Sequence, residues 1–408
     1  MNRQNILALA LKPAMRVTKF HFGGAIIVMM LAVGLVAASG APCQVPTASL
    51  LVTGLEGATG STVGPDGALY VTEGVAGRIS RVDPQTGEKT TFASGLPQRL
   101  PIGLSVGGAI DVAFIDNIAY VLVTLVNDPL FPSSDVDGIY RVDGPHSLTV
   151  VADIGAFNLA NQPSGFDIAV RTGLQYALQT YRGRFLVTDG HLNRVLQVTL
   201  DGEVTVLIQF DNIVPTGLAV RGNTVYMAEA GPVPHLPQDG KVVSFEPKSP
   251  TATVVASGAP LLVDVEFGPG NSLYALSQGI FPVGSPPATP ALPNTGALVK
   301  VNGDGTFTFV MDSLDQPTSL EFIGNSAYVV TLTGEIWKID GVSCPHCFAR
   351  SSVRSISRLC KQTQSQKAVT PHSLAAFCFW RAPDLGVITL CSCSCPWFWR
   401  ALWPDSFR

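Results

Sequence analysis

Six carboxylates lie at corresponding points of a repeated pair of short apolar segments. Three of them open the first segment of a pair (Asp111, Asp167 and Asp264), and three close the second segment (Glu73, Asp189 and Glu229). Carboxylates that are crowded together repel one another and favour a positive partner, and Ca²⁺ prefers oxygen ligands. A calcium site on Asp167, Asp189 and Glu229 is therefore one hypothesis. The alternatives are that these acids bind water or backbone amides in a structural role, or that they are catalytic.

The two apolar segments recur along the middle of the chain. The second segment begins with an aromatic residue or leucine and appears six times, at intervals of 50, 66, 40, 48 and 54 residues. Periods in this range are typical of β-propeller blades, each of which is a four-stranded sheet. Gly- and Asn-rich turns join the paired segments, as expected for hairpins. The predicted innermost strands of the blades begin at Gly60, Asp111, Asp167, Gly217, Asp264 and Ser319.

The two ends of the repeat complement each other. The sixth unit stops after its third strand, at Ile339, whereas a surplus fourth-strand pattern, Ser49–Val52, precedes the first unit. Pairing these segments would close the ring and remove two open sheet edges. The sequence therefore predicts an all-β, six-bladed β-propeller over residues 47–342, with an N-terminal strand that closes the last blade.

In such a ring, the innermost strands begin and the second strands end at the same rim of the central channel. We therefore expect the six acids to meet at that rim and to bind a small-molecule or protein ligand. Three long, Pro-rich loops follow second strands at the same rim, over residues 127–137, 231–239 and 278–295. They either shape a binding mouth or are tolerated surface insertions. His191, Asn193 and His235 lie near the rim and are expected to be solvated loop residues rather than ligands.

Three stretches carry a family resemblance: Val63–Gly74, Gly77–Gly87 and Thr333–Asp340. They resemble the ScyD/ScyE family of exported, NHL-like propeller proteins, and the similarity covers about 47–342. This resemblance implies an exported binding or scaffold protein. The family has no established catalytic residues to carry over.

A calcium-dependent hydrolase of small lactones or esters is the alternative function. Lactonases of this architecture place a Glu at the start of the first inner strand, where this chain has Ala58-Thr59-Gly60. The chain also lacks Ser-His-Asp spacing, a Gly-rich phosphate loop and an HExxH pattern. Asp167, Asp189 and Glu229 remain available for a different hydrolytic site.

Charge and the N-terminal segment restrict partners and location. Residues 42–342 contain 28 acidic and 14 basic residues, which disfavours nucleic acid as a partner. Lys12, Arg16 and Lys19 precede an uncharged apolar run over residues 22–41. This pattern predicts a signal peptide over 1–40 and a secreted or periplasmic protein. If it is not cleaved, the segment would anchor the protein in a membrane.

The C-terminal residues 343–408 depart from the rest of the chain. They contain seven of the eight cysteines and four of the five tryptophans, without any repeat. The sequence predicts a disordered or non-native extension. A disulfide-bonded appendage and a zinc site on the Cys344–Cys347 and Cys391–Cys395 clusters are the alternatives.

Overall fold

The computed structural model of the protein describes residues 45–165 and 168–343. These residues form 24 strands, one short α-helix and one 3₁₀ turn. The strands are β1 (Thr47–Val52), β2 (Ala58–Val63), β3 (Leu69–Glu73), β4 (Arg78–Val82), β5 (Lys89–Ser94), β6 (Gly108–Ile115), β7 (Ile118–Thr124), β8 (Gly138–Gly144), β9 (Ser147–Asp153), β10 (Gln175–Tyr181), β11 (Arg184–Asp189), β12 (Arg194–Val198), β13 (Val204–Gln209), β14 (Pro215–Arg221), β15 (Thr224–Glu229), β16 (Lys241–Glu246), β17 (Ser249–Ser257), β18 (Leu262–Phe267), β19 (Leu273–Ser277), β20 (Gly296–Val301), β21 (Phe307–Leu314), β22 (Pro317–Ile323), β23 (Ser326–Thr331) and β24 (Ile336–Asp340). The helix is α1 (Ile154–Ala160), and the 3₁₀ turn is Pro269–Asn271.

The strands form six sheets of four antiparallel strands each, which are the blades of a β-propeller. Blades 1 to 5 are continuous in sequence, from β2–β5 to β18–β21. Blade 6 contains β22, β23 and β24, and its fourth strand is β1. Thr47 pairs with Asp340 and Ser49 with Lys338 in this antiparallel contact. The predicted fold and the closure by the N-terminal strand are both confirmed.

The aromatic residue of the repeat packs between blades. Tyr70 of blade 1 meets Phe114 of blade 2 edge-on, with ring centroids 4.8 Å apart. Tyr226 of blade 4 meets Phe267 of blade 5 in the same way, at 5.2 Å. Edge-to-face pairs at these distances add to the free energy gained by burying the rings. The repeated motif therefore supplies the contact that holds neighbouring blades together.

Blade 3 differs from the sequence prediction. Its inner strand is β10, Gln175–Tyr181, and residues 168–170 lie outside any strand. Arg182 and Gly183, with φ of 51° and 72°, make a two-residue turn into β11. The start predicted at Asp167 would instead need a long loop inside the hairpin, which a tight turn avoids. Asp167 itself lies outside the described residues.

The predicted signal peptide and the tail from residue 344 onward also lie outside the described part of the chain. Among the residues that the structure describes, no helix has the length and apolar character needed to span a bilayer.

Candidate functional site

Two aspartates in the channel wall connect neighbouring blades. Asp111 on β6 accepts a hydrogen bond from the backbone N–H of Leu178 in blade 3, at 2.7 Å. Asp264 on β18 accepts one from the N–H of Leu320 in blade 6, also at 2.7 Å. In each aspartate the other carboxylate oxygen accepts from the next backbone N–H of its own strand, at 2.8 Å. Each of these predicted site residues therefore bridges two blades.

A glycine precedes each of these aspartates around the ring. A Cβ on Gly60 would come within 2.7 Å of the Cα of Asp111, and a Cβ on Gly217 within 2.5 Å of the Cα of Asp264. Such distances are shorter than any real contact, so only glycine permits the inner strands to approach this closely. The wall thus repeats one arrangement, Thr-Gly followed by Asp-Val, in blades 1 and 2 and again in blades 4 and 5.

The five predicted site residues that the structure describes lie at two depths in the channel. Strands β6 and β18 begin at Gly108 and Leu262, so Asp111 and Asp264 lie three and two residues inside the channel. They line the channel wall. The strand-ending acids Glu73, Asp189 and Glu229 instead pair with the first residues of the inner strands β2, β10 and β14, and therefore lie at the entrance of the channel. The depth of a residue in the channel depends on where its strand begins, and the apolar pattern alone did not locate that start.

Glu73 is fully buried and paired within blade 1. Its carboxylate accepts hydrogen bonds from Arg78 at 2.9 and 2.7 Å, from the hydroxyl of Ser80, and from the N–H of Glu56 at 2.6 Å. Burial by itself would raise the pKa of Glu73, but the hydrogen bonds from Arg78 and Ser80 hold that pKa below its ordinary value. The carboxylate is a charged anchor for the β3–β4 hairpin.

Asp189 is also fully buried and accepts four hydrogen bonds. The donors are the side-chain amides of Asn158 and Gln175, at 2.6 and 3.0 Å, and the backbone N–H groups of Leu174 and Leu192, at 3.2 and 3.0 Å. Asn158 in turn accepts from the buried guanidinium of Arg194 at 2.7 Å. This network fastens α1 to blade 3.

Glu229 differs from the other two strand-ending acids. Its side chain is buried and faces Lys241 across the β15–β16 pair. Burial raises its pKa to about 7, and the charge of Lys241 opposes this rise.

Across the described residues, no group of three or more His, Cys, Asp or Glu side chains is arranged to hold a metal ion. The oxygens of Glu73 and Asp189 are engaged by protein donors, and Asp167 is not described, so the calcium hypothesis stays a prediction.

A mainly apolar depression opens on the rim over blades 3 to 5; we call it the cup. Its volume is about 180 Å³. Its wall includes Leu174, Val214, Leu261 and Val263 from the strand entrances, together with Val233 and residues 287–290 from two of the predicted Pro-rich loops. These two loops therefore do shape a concave surface, as one reading of the sequence proposed.

Tyr176 forms the floor of the cup. The residue lies on strand β10 of blade 3, and its hydroxyl donates a hydrogen bond to the carbonyl of Thr318 in blade 6, at 3.3 Å. Blades 3 and 6 are opposite each other in a ring of six, so this side chain crosses the channel. Beneath it the channel narrows to a space of about 20 Å³. Sequence reasoning did not single out Tyr176, because its role depends on the late start of blade 3.

Two of the three polar residues expected to be solvated at the rim are buried. His235 is 7% exposed and Asn193 is 3% exposed. Asn193 accepts hydrogen bonds from the N–H groups of Ile213 and Val214, both at 2.9 Å, and so holds the entrance to blade 4. His191 and His235 both line the cup. Burial lowers the pKa of each imidazole, which favours neutral rings at neutral pH.

The opposite half of the channel is polar; we call it the acidic vestibule. Its volume is about 230 Å³, and four carboxylates line it: Asp111, Asp264, Glu266 and Glu321. Burial raises the pKa of Asp264 to about 7. Burial and the neighbouring charge of Asp264 raise the pKa of Glu266 to about 8. Sequence reasoning missed Glu266 and Glu321, although the period-two alternation places Glu266 on the same face as Asp264.

Comparisons with known proteins concern the fold. No protein-family model and no curated protein matches the chain. Among solved structures, a gluconolactonase from Xanthomonas campestris aligns with a TM-score of 0.50 and 11% identity, over 72% of this chain and 89% of that chain. A virginiamycin B lyase from Staphylococcus aureus aligns with a TM-score of 0.44 and 14% identity, over 72% and 98%. An aldose sugar dehydrogenase from Streptomyces coelicolor, in its PQQ-bound form, aligns with a TM-score of 0.46 and 14% identity, over 73% and 99%. At this level of identity, the alignment with the gluconolactonase shows similarity of fold alone.

Proposed function

We propose that this protein is an exported binding protein of the ScyD/ScyE type that holds a small, mainly apolar ligand in the cup. The observation that carries the proposal is the cup itself, a preformed apolar concavity of about 180 Å³ with few polar groups. Small-molecule sites have this character in general, with predominantly apolar walls and a small number of placed polar groups.

The size and rigidity of the cup support this role. An apolar cavity of about 150 Å³ is large enough for benzene, so a cup of about 180 Å³ accommodates one substituted ring or a branched chain of similar size. Pro287 and Pro290 fix the backbone of one wall. A wall that is ordered before binding loses less conformational entropy when a ligand arrives.

Export is the second part of the proposal. It rests on the basic and apolar pattern of residues 1–40 and on the ScyD/ScyE resemblance. Expression of the full chain, followed by fractionation and mass spectrometry of the N-terminal peptide, tests it. A mature N-terminus near residue 41 in the periplasm or medium is expected, and a full-length cytoplasmic chain would contradict it.

A calcium-dependent hydrolase remains the alternative function. A calcium site would need carboxylate oxygens that are free to bind the ion. The carboxylate oxygens of Glu73 and Asp189 instead accept hydrogen bonds from protein donors. This use of the acids favours the binding role. Elemental analysis of the purified protein, combined with assays on small lactones and esters, distinguishes the two. Stoichiometric calcium together with turnover that is lost on chelation would favour the hydrolase.

Titration with the neutral fluorophore N-phenyl-1-naphthylamine tests the cup directly, because its phenyl ring can enter the cup while the naphthalene extends from the open mouth. We expect saturable fluorescence enhancement with one site per chain. Val233→Glu should weaken this binding at least tenfold, because Val233 lines the cup and the charge would have to be desolvated. Val283→Glu is the matched control, since Val283 lies in a neighbouring loop and is 86% exposed. Unsaturable enhancement, or equal weakening by the two variants, would overturn the proposal.

A further inference from the structure

We infer that the ligand of the cup is neutral and carries one hydrogen-bond donor, accepted by Nε2 of His235, and one hydrogen-bond acceptor, contacted by the side-chain amide of Gln278. This inference rests on the proposed function and defines the chemistry of the molecule that the cup selects.

The protonation of His235 follows from its contacts. Its Nδ1 lies 2.7 Å from the carbonyl oxygen of Gly231 and 3.3 Å from that of Ala230. Carbonyl oxygens only accept, so Nδ1 must carry the proton, and in a neutral ring Nε2 is then an acceptor. The ring also packs edge-on against Phe281, with centroids 5.1 Å apart. Its orientation is therefore fixed.

Nε2 of His235 is available to accept a hydrogen bond from a ligand. The residue is 93% buried and lines the cup, and within the described residues no donor lies within hydrogen-bonding distance of this nitrogen. Among the described residues the fully enclosed polar side-chain atoms without a partner are Asp137 Oδ2 and Arg194 Nε, so Nε2 of His235 is accessible, and a ligand in the cup can donate a hydrogen bond to it. The matching group on the ligand is a hydroxyl or an N–H.

Gln278 presents the complementary group. Its Oε1 accepts a hydrogen bond from the N–H of Ala291 at 3.0 Å. A backbone N–H only donates, so this contact fixes which end of the amide is oxygen. Gln278 is 8% exposed and lines the cup, and its NH₂ group has no acceptor among residues 45–165 and 168–343. The matching group on the ligand is a carbonyl or ether oxygen.

The two polar groups also disfavour charged ligands. A carboxylate would meet the lone pair of Nε2, and the apolar wall provides no cation to neutralise it. An ammonium group would lose its hydration and gain only one acceptor. A neutral molecule with one donor and one acceptor satisfies both side chains without these costs.

Matched probes test the donor half of this inference. Isothermal titration calorimetry compares 4-propylphenol with 4-propylanisole, which has the same ring but no donor. We expect the phenol to bind about three to ten times more tightly, as one net hydrogen bond allows. In His235→Asn, the amide nitrogen can replace Nδ1 as donor to Gly231, and asparagine tolerates the φ of 56° at this position. This variant should lose the preference, measured as the ratio of its affinities for the two probes.

The acceptor half uses propiophenone against propylbenzene, and the isosteric Gln278→Glu variant. The glutamate keeps an oxygen for Ala291 but replaces the amide donor with an acceptor. We expect a three- to tenfold preference for the ketone that disappears in Gln278→Glu. Retention of either preference in its variant would overturn the corresponding assignment. If Val233→Glu weakens binding of the fluorophore but the two members of each probe pair bind with equal affinity, only this inference is wrong. If neither the fluorophore nor any of the paired probes binds, the proposed function is wrong as well.

Discussion

The cup and the acidic vestibule lie at opposite ends of one channel and are built in different ways. The vestibule is made from residues of the inner strands, where blades 1 and 2 and blades 4 and 5 repeat the same Gly and Asp arrangement. The cup is made largely from loops of blades 3 to 5, which follow no repeat. Tyr176 separates the narrow channel from the cup by reaching the carbonyl of Thr318.

This difference indicates which half of the channel is structural. Asp111 and Asp264 are already satisfied by the backbone of the next blade. His235 and Gln278, in contrast, each use one polar atom to hold a loop and leave the other for the cup. Acids in the repeated wall thus stabilise the ring, whereas polar groups in the irregular loops are available for recognition.

The largest effect that separates the two ends is expected for Asp264→Ala. The substitution removes the acceptor for the N–H groups of Leu320 and Val265 and leaves them buried without a partner. Each orphaned donor costs about 1–3 kcal/mol, so we expect the free energy of unfolding to fall by about 2–4 kcal/mol. Chemical denaturation measures this loss, and the affinity of the cup for N-phenyl-1-naphthylamine should change less than twofold.

Asp211→Ala is the matched control for that experiment, because Asp211 is an exposed carboxylate in the connection before blade 4. It should leave the unfolding free energy nearly unchanged. If Asp264→Ala is equally mild, the aspartate does not hold blades 5 and 6 together, and the structural role assigned to the channel wall is wrong.

The strands and their number could be predicted because their signals are local. Alternating apolar residues and Gly or Asn turns mark each hairpin, and the surplus strand β1 indicates the closure. Blade 3 was misplaced because Asp167-Ile-Ala-Val has the composition of an inner strand, whereas the hairpin of β10 and β11 lies further along the chain. The composition of four residues does not determine which of two apolar segments pairs with β11.

The site was less predictable, for physical reasons. Asp111 and Asp264 lie inside the channel because their strands begin two or three residues before the recognisable pattern. Glu266 could have been found by counting two residues from Asp264. The burial of His235 could not, because it depends on how the loop over residues 231–239 folds against Phe281. The proposed ScyD/ScyE relationship and the calcium site stay predictions.

The carboxyls of the acidic vestibule should also make the free energy of unfolding depend on pH. Asp264 and Glu266 have ordinary pKa values of 3.8 and 4.5, and folding raises these pKa values to about 7 and about 8. The folded state therefore binds protons more tightly than the unfolded state. The stabilisation that follows is complete below about pH 4 and is lost as the pH rises through 7 to 8. We expect the free energy of unfolding to fall as the pH rises from 5 to 8.

Glu266→Gln combined with Glu321→Gln should flatten that slope, as measured by urea denaturation at several pH values. Glu73 acts in the opposite direction: its pKa is lowered, so its stabilisation is lost only as the pH falls below its ordinary value of 4.5. Glu229 and Asp137, whose pKa values are also raised to about 7 by burial, titrate in the same window, so the difference between the parent and the double variant reports the vestibule. A slope that is unchanged in the double variant would show that these two carboxyls do not titrate in this range.

Tyr176→Ala is expected to have a smaller effect and to act on the cup. Loss of the ring removes apolar surface from the floor and joins the cup to the narrow channel. We expect the affinity for N-phenyl-1-naphthylamine to fall about tenfold, which corresponds to about 1.4 kcal/mol. Tyr176→Phe is the control: its lost hydroxyl contacts Thr318 rather than the ligand, so affinity should stay within twofold. Equal losses in both variants would mean that the hydroxyl, not the ring, matters for binding.

The smallest expected effect tests whether the loop wall of the cup is ordered before binding. The side-chain amide of Gln316, just before blade 6, donates a hydrogen bond to the carbonyl of Ala291 in the loop that also contains Pro287 and Pro290. Gln316→Ala removes this anchor without removing any cup residue. The freed loop would have to be ordered by the ligand, which costs affinity. We expect N-phenyl-1-naphthylamine to bind about two to four times more weakly, in line with the loss of one net hydrogen bond, while the Tm changes by no more than about 2 °C.

Gln85→Ala, at an exposed turn of blade 1, is the control and should change neither the affinity nor the Tm. A Gln316→Ala protein that binds the fluorophore as tightly as the parent would indicate that the loop is held by its prolines and apolar contacts alone, and that this hydrogen bond contributes nothing to the shape of the cup.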